Sequence, residues 1–244
     1  MQRYFIDSKQ LNNGYITING GDVHHIKNVM RMQIGEKVIC AFNNKAFLCE
    51  IESIGDSVIC HVIEEIKKPT SINGKVTIAH GLVRREKTEE VIRRLTELGC
   101  YNYIPLIMKR SIIKINKVDD FKYERFEKII KEASEQSQRN ELMKLGKVIS
   151  VNELIKSKDE YDLLLLADAN EDNSRIKDID FNNNYKNILV VIGPEGGFDD
   201  SEKVLLANNG FKVVSFGNRV LRTETAPLYA MSVIGYILGE QDED

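Results

Sequence analysis

Between residues 14 and 66, apolar and polar positions alternate in short runs: YITI, KVICAF, KAFLCEIESI and SVICHVIEEI. The pairs GG, NN and GD interrupt them at regular intervals. A period of two with evenly spaced turn signals predicts a small antiparallel barrel or sandwich. The stretch KKPTSINGK, residues 67–75, gathers Pro, Ser, Asn and Gly and is the predicted linker.

Beyond it the pattern changes. KVTIAHGLV reads as a strand, TEEVIRRLTELG as a helix closed by Gly99, and YNYIPLIM as a strand again. A long amphipathic helix is predicted over 121–139, and a short one opened by Ser150 with Glu153 three residues on as a capping box. Strands YDLLLLADA and NILVVIG follow. Next come a helix opened by Asp200 or Ser201, strand FKVVSFG and a last helix over 223–238. Strands parted by helices, two of them almost wholly apolar, predict a parallel sheet covered on both faces, so the fold class is α/β. The tail, 240–244, is acidic and predicted disordered.

In such a sheet, ligands bind where the strands end at their carboxyl edge. Three loops leave that edge: 167–173, 193–198 and 217–222. The second, in VVIGPEGGFDDSE, combines three glycines, a proline and an acid within six residues. Glycine there lets main-chain groups approach a ligand with no Cβ in between. No P-loop or G-x-G-x-x-G pattern occurs, and Glu195, Asp199 and Asp200 would repel a polyphosphate, so an uncharged or cationic ligand fits better. In the third loop Thr223 or Thr225 can cap the last helix, with Glu224 suited to its dipole. Arg219 and Arg222 leave two readings open, an anion or RNA-backbone contact and a salt bridge to Glu195 or Glu224.

The formal net charge of −3 conceals an asymmetry. Residues 71–148 carry 17 basic and 11 acidic side chains, and residues 149–244 carry 9 and 18. The middle segment could therefore face phosphates or be a solvated helical surface. Cys40, Cys49, Cys60 and Cys100 sit singly in apolar runs, which predicts reduced core thiols and no metal site. The longest apolar stretches are far too short to span a bilayer and the first residues have no signal-type core, so a cytoplasmic protein is expected.

IGPEGGF (192–198) followed by FGNRVLRTETA (216–226) resembles the paired signature of the RsmE family. These are SPOUT-superfamily enzymes that use S-adenosylmethionine to methylate N3 of one uridine in small-subunit (16S) ribosomal RNA. QRYF, HHIKNVMRMQIGE, TELG, PLIMKRS and EASEQSQR agree in order, so the likeness covers essentially the whole chain. Arg84-Arg85 replaces a frequent Lys-Gly pair, and the proline common after the Arg139 position is absent.

The resemblance implies a PUA-like β-barrel over 1–70 that binds RNA and a SPOUT domain over 75–244. A deep trefoil knot and the cofactor site would lie in about 163–230. For S-adenosylmethionine it implies Leu166, Ala167, Gly193, Pro194, Glu195, Gly196, Gly217, Val220, Leu221, Arg222 and Thr223. For catalysis it implies Arg222 to favour the uracil anion, with Glu195 or Glu224 as proton acceptor. Arg31, Arg84, Arg85, Arg110, Arg139 and Arg219 would touch RNA. The implied partners are ribosomal RNA or the assembled small subunit and a second copy of the chain, with no membrane. Two alternatives stand beside this reading: a SPOUT-type enzyme for another RNA position or transfer RNA, and a non-catalytic RNA-binding module.

Overall fold

The computed structural model describes residues 1–113, 121–181 and 185–239; the acidic tail lies outside them. The chain divides into two compact units, one of Met1–Thr70 with Ser134–Glu141, the other of Ser71–Ala133 with the chain from Leu142.

The first unit is a six-stranded sheet of β1 (Arg3–Phe5), β2 (Leu11–Asn12), β3 (Tyr15–Ile18), β4 (Lys37–Phe42), β5 (Lys45–Ile54) and β6 (Val58–Ile66). Its order is β1-β4-β5-β6-β3-β2. Only the β1–β4 pair is parallel. Breaks in register at Leu48/Cys49 and Ile51/Ser53 mark bulges that bend the β5–β6 ribbon. Alternation sends Val38, Cys40, Cys49, Ile51, Val58 and Cys60 inward, where all are fully buried with Ile16 and Ile18. Each such aliphatic side chain contributes about 1.5–3 kcal/mol by leaving water. All four cysteines are buried and free. Between β3 and β4 lie α1 (Gly21–His24) and a π-helical turn, His25–Val29.

Residues 134–141 belong to this unit, although the sequence pattern put them in the second domain. Arg3 from β1 donates through Nη1 to the Arg139 carbonyl at 2.8 Å and to Asn140 Oδ1 at 2.5 Å. Asn140 in turn donates from its main chain to Thr70 Oγ1 and from Nδ2 to the Lys68 carbonyl.

The second unit contains β7 (Lys75–Gly81), α2 (Arg85–Glu97), β8 (Asn102–Ile107), most of α3 (Tyr123–Gln136), β9 (Lys144–Leu145), β10 (Ile149–Ser150) and α4 (Val151–Lys156). It continues through β11 (Leu163–Ala167), β12 (Asn187–Ile192), α5 (Asp200–Asn208), β13 (Lys212–Val214) and α6 (Ala226–Leu238). The sheet runs β10-β8-β7-β12-β11-β13, with β9 paired to β8. All its pairs are parallel. Successive residues of β12 enter different cores: Ile188 and Val190 join one cluster, Leu189 and Val191 another, which is why this strand is apolar throughout.

Ser150 and Glu153 form the predicted capping box on α4. The α5 helix is capped by Asp199, one residue earlier than the pattern indicated, its carboxylate accepting from the Ser201 amide. α6 has Thr225 at its N-cap without a side-chain bond, and Pro227 falls in its first turn. Among the described residues no helix is long and apolar enough to cross a membrane, and no group of acidic, His or Cys side chains could hold a metal ion.

Candidate active site

Sheet register determines what meets at the carboxyl edge. Ala167 is level with Ile192 and with Val214, and Ile192 is level with His80. The loops leaving β11, β12 and β13 enclose a cavity of about 600 Å³, within the range that buries a cofactor-sized molecule.

Of the eleven residues expected to hold a cofactor, Ala167, Gly193, Pro194, Glu195, Gly196, Val220, Leu221, Arg222 and Thr223 line this cavity. Leu166 does not. It is fully buried in the core on the opposite sheet face, because neighbours on a strand point apart. Gly217 is also absent from the walls; its φ of +106° turns the chain between Phe216 and Arg219, both of which do line it.

The glycines of the second loop all line the cavity, and the reasons for glycine differ among them. Only Gly197 has a positive φ, +67°. Gly196 has no room for a Cβ, which would stand 2.9 Å from the Arg110 carbonyl oxygen, and at Gly193 one would meet the Phe198 ring at 3.2 Å. These two also let protein pack closely behind the cavity wall, and so fix the loop's shape.

Three charged groups converge at the mouth. Lys87, in the first turn of α2, stands 3.1 Å from Glu224 Oε2 and 3.4 Å from Glu195 Oε1. Burial pushes the Glu224 carboxyl up. Its main-chain hydrogen bond, the Lys87 hydrogen bond and charge, and the Arg222 charge outweigh that, so it lies below the ordinary carboxylate value. The same hydrogen bond to Glu224 raises Lys87. Glu195 differs, because its Oε2 is buried with no hydrogen-bond partner. Sequence reasoning missed Lys87 by assigning the basic residues of this segment to RNA. It also missed Asp168, a buried wall residue paired with Lys203.

The arginines expected to touch RNA separate. Arg110 and Arg219 are exposed and line the cavity. Arg84 and Arg85 are exposed at the start of α2, Arg85 within 3.5 Å of Glu89. Arg31 is exposed in the first unit with φ +53°. Arg139 is only 4% exposed and its guanidinium is near Glu141, so it is a packed and partnered group instead of the surface contact expected.

Behind the wall, His80 is fully buried at the end of β7. Burial lowers its pKa to about 4 from the ordinary 6.5, reinforced by the Lys87 charge and opposed by Thr223 and Glu224. Tyr103 is its other polar neighbour. Between these two values the unfolded chain binds a proton that the folded one refuses. This stability contribution is therefore complete above about pH 6.5 and falls by about 3 kcal/mol as pH drops to 4. Thermal unfolding between pH 7 and 4.5 should show that loss in the native chain and a smaller one in His80→Gln; equal slopes would contradict it.

The main-chain walls offer donors and acceptors, and the unpartnered Glu195 oxygen suits a cationic group, so the residues present fit S-adenosylmethionine. Residues 70–235 match the RNA methyltransferase domain family and residues 18–63 the RNA methyltransferase PUA domain family. The chain is 38% identical over 252 residues to ribosomal RNA small subunit methyltransferase E of Bacillus subtilis, covering 97% of this chain and 96% of that one. Among solved structures, Lpg2936 from Legionella pneumophila, described as in complex with the bound cofactor SAM, superposes with a TM-score of 0.86 at 27% identity over 96% of this chain and 97% of the other. Ribosomal RNA small subunit methyltransferase E from Neisseria gonorrhoeae shares the fold, with a TM-score of 0.88 at 23% identity over 97% and 98% of the two chains.

Proposed function

The chain belongs to the ribosomal RNA small subunit methyltransferase E family, and we propose that it methylates N3 of one uridine in small-subunit (16S) ribosomal RNA, in the cytoplasm. The observation that carries this reading is the cavity at the sheet's carboxyl edge, walled by the GPEGG and RVLRTET segments.

S-adenosylmethionine, when bound, supplies an electrophilic methyl group. The protein's work is then alignment, worth roughly 7–11 kcal/mol, and removal of the uracil N3 proton. The Arg222 guanidinium favours the uracil anion. Lys87 pairs with both carboxylates, but Glu195 keeps its Oε2 without a hydrogen-bond partner while Glu224 is made more acidic, so Glu195 is the better acceptor of the proton. N3 lies on the Watson–Crick edge, so the target base must be unpaired or flipped to enter. Arg110 and Arg219 at the cavity, Arg84 and Arg85 on α2 and Arg31 in the first unit contact RNA phosphates in this reading. The trefoil knot implied by the resemblance is part of the same proposal. So is a homodimer, supported by the outward face of α6, where Tyr236 is 90% and Ile237 43% exposed.

The test offers labelled S-adenosylmethionine and purified protein to unmodified small subunits and, separately, to their naked RNA, with the product nucleoside identified by mass spectrometry. N3-methyluridine is expected. Another methylated nucleoside would overturn the specificity, and methylation of transfer RNA alone would favour the alternative substrate.

A further inference from the structure

His80 is a buried histidine that the chemistry above does not use. Its Nε2 lies 2.8 Å from Thr223 Oγ1 and its Nδ1 lies 3.1 Å from the Tyr103 hydroxyl. Thr223 Oγ1 is also 2.7 Å from the Gly193 carbonyl oxygen. A carbonyl can only accept, so the single hydroxyl proton of Thr223 goes to Gly193. Nε2 must then carry a proton and donate to Oγ1. In the neutral ring, Nδ1 accepts from Tyr103. The result is one directional chain, Tyr103 O–H to His80 to Thr223 O–H to Gly193 C=O, in which every side-chain proton is donated.

Each link sits on a different element: β8, β7, the RVLRTET segment and the GPEGG segment. The last two both wall the cavity, meet at this bond and are 30 residues apart in sequence. Of the two threonines expected to cap α6, Thr225 holds the N-cap position and the Thr223 hydroxyl is committed here. We propose that His80 is a positioning residue, a clip that fixes Thr223 and Gly193 in register and thereby sets the cavity's affinity for its cofactor. This rests on the functional reading above for the identity of the ligand, though not for the clip itself.

Two readouts separate the clip from that reading. The first is amide hydrogen exchange over residues 193–198 and 219–225 in the ligand-free protein. The second is the dissociation constant for S-adenosylmethionine by titration calorimetry. His80→Phe fills the space and cannot donate, and it should speed exchange in both segments and weaken binding at least tenfold. His80→Gln keeps an N–H near the Nε2 position and should restore both to within about threefold of the native chain. Thr223→Val breaks the same chain from the other side, so the His80→Phe/Thr223→Val double variant should be no worse than the poorer single one. The clip is overturned by native exchange and affinity in His80→Phe, by additive effects in the double variant, or by failure of glutamine to rescue. Should His80→Phe not fold, Thr223→Val and His80→Gln still decide the matter. If the native chain bound no S-adenosylmethionine, the functional reading would fail while the exchange data still judged the clip.

Discussion

Replacing Arg222 with leucine should lower the single-turnover rate of methyl transfer by about 10²–10⁴, the usual contribution of a group that assists proton transfer. The cofactor's dissociation constant should change far less. Arg222 is exposed at the mouth of the cavity, and its carbonyl already accepts from the Thr225 and Ala226 amides at the start of α6. The backbone is thus held independently of the guanidinium, and truncating the side chain removes charge while the wall stays in place. Because the guanidinium's proposed task is to favour the deprotonated uracil, raising the pH should recover part of the lost rate in Arg222→Leu and little in the native enzyme. Lysine at the same position restores the charge without the planar fork, so a partial recovery is expected. Quench-flow rates at saturating cofactor, paired with calorimetric binding, check this. A rate within a few-fold of native would remove Arg222 from the chemistry.

The parts of this site that were legible in the sequence are those with local signals. Runs such as KVICAF and KAFLCEIESI correspond residue for residue to β4 and β5, because a half-buried strand imposes a period of two on its side chains. The glycine-rich loop stood out because its composition was improbable for anything but a turn or a ligand loop. What was not legible depends on partners far along the chain. The segment EQSQRN closes the predicted amphipathic helix, and its place in the first unit comes from Arg3, more than 130 residues earlier. Lys87 looked like one more basic residue of a basic segment until the fold set it between two glutamates from separate loops. His80 lies within KVTIAHGLV, whose pattern signals a strand and nothing about the partners of its histidine. Strand alternation, which is local, also explains why Ala167 lines the cavity while the neighbouring Leu166 side chain enters the core on the other sheet face.

Those long-range contacts also make Gly81 the position where the smallest change should do the most damage. Gly81 ends β7, and an ideal Cβ placed there would stand 2.6 Å from both the nitrogen and Cδ of Pro194 and 3.1 Å from the Gly193 carbonyl carbon. These are backbone and ring atoms that cannot rotate aside, so Gly81→Ala must push the GPEGG segment off β7. Its φ is not positive, so the whole effect is steric. Overpacking of this kind costs about 1–3 kcal/mol, and here the upper end is expected because the displaced atoms are rigid. The displaced segment is also a wall of the cavity, so the loss of stability should be accompanied by a weakening of S-adenosylmethionine binding on the order of tenfold or more, as for any misplaced positioning element. Gly197→Ala is the contrasting control. There a Cβ meets nothing within 4 Å, and only the φ of +67° resists, at about 1–2 kcal/mol. Thermal unfolding and calorimetry of both variants separate the two causes. Gly81→Ala should lose stability and affinity together, whereas Gly197→Ala should lose stability with its cavity wall still in place. Native affinity in Gly81→Ala would mean that the wall can shift without disturbing the site, and the close packing of β7 against Pro194 would then have no functional consequence.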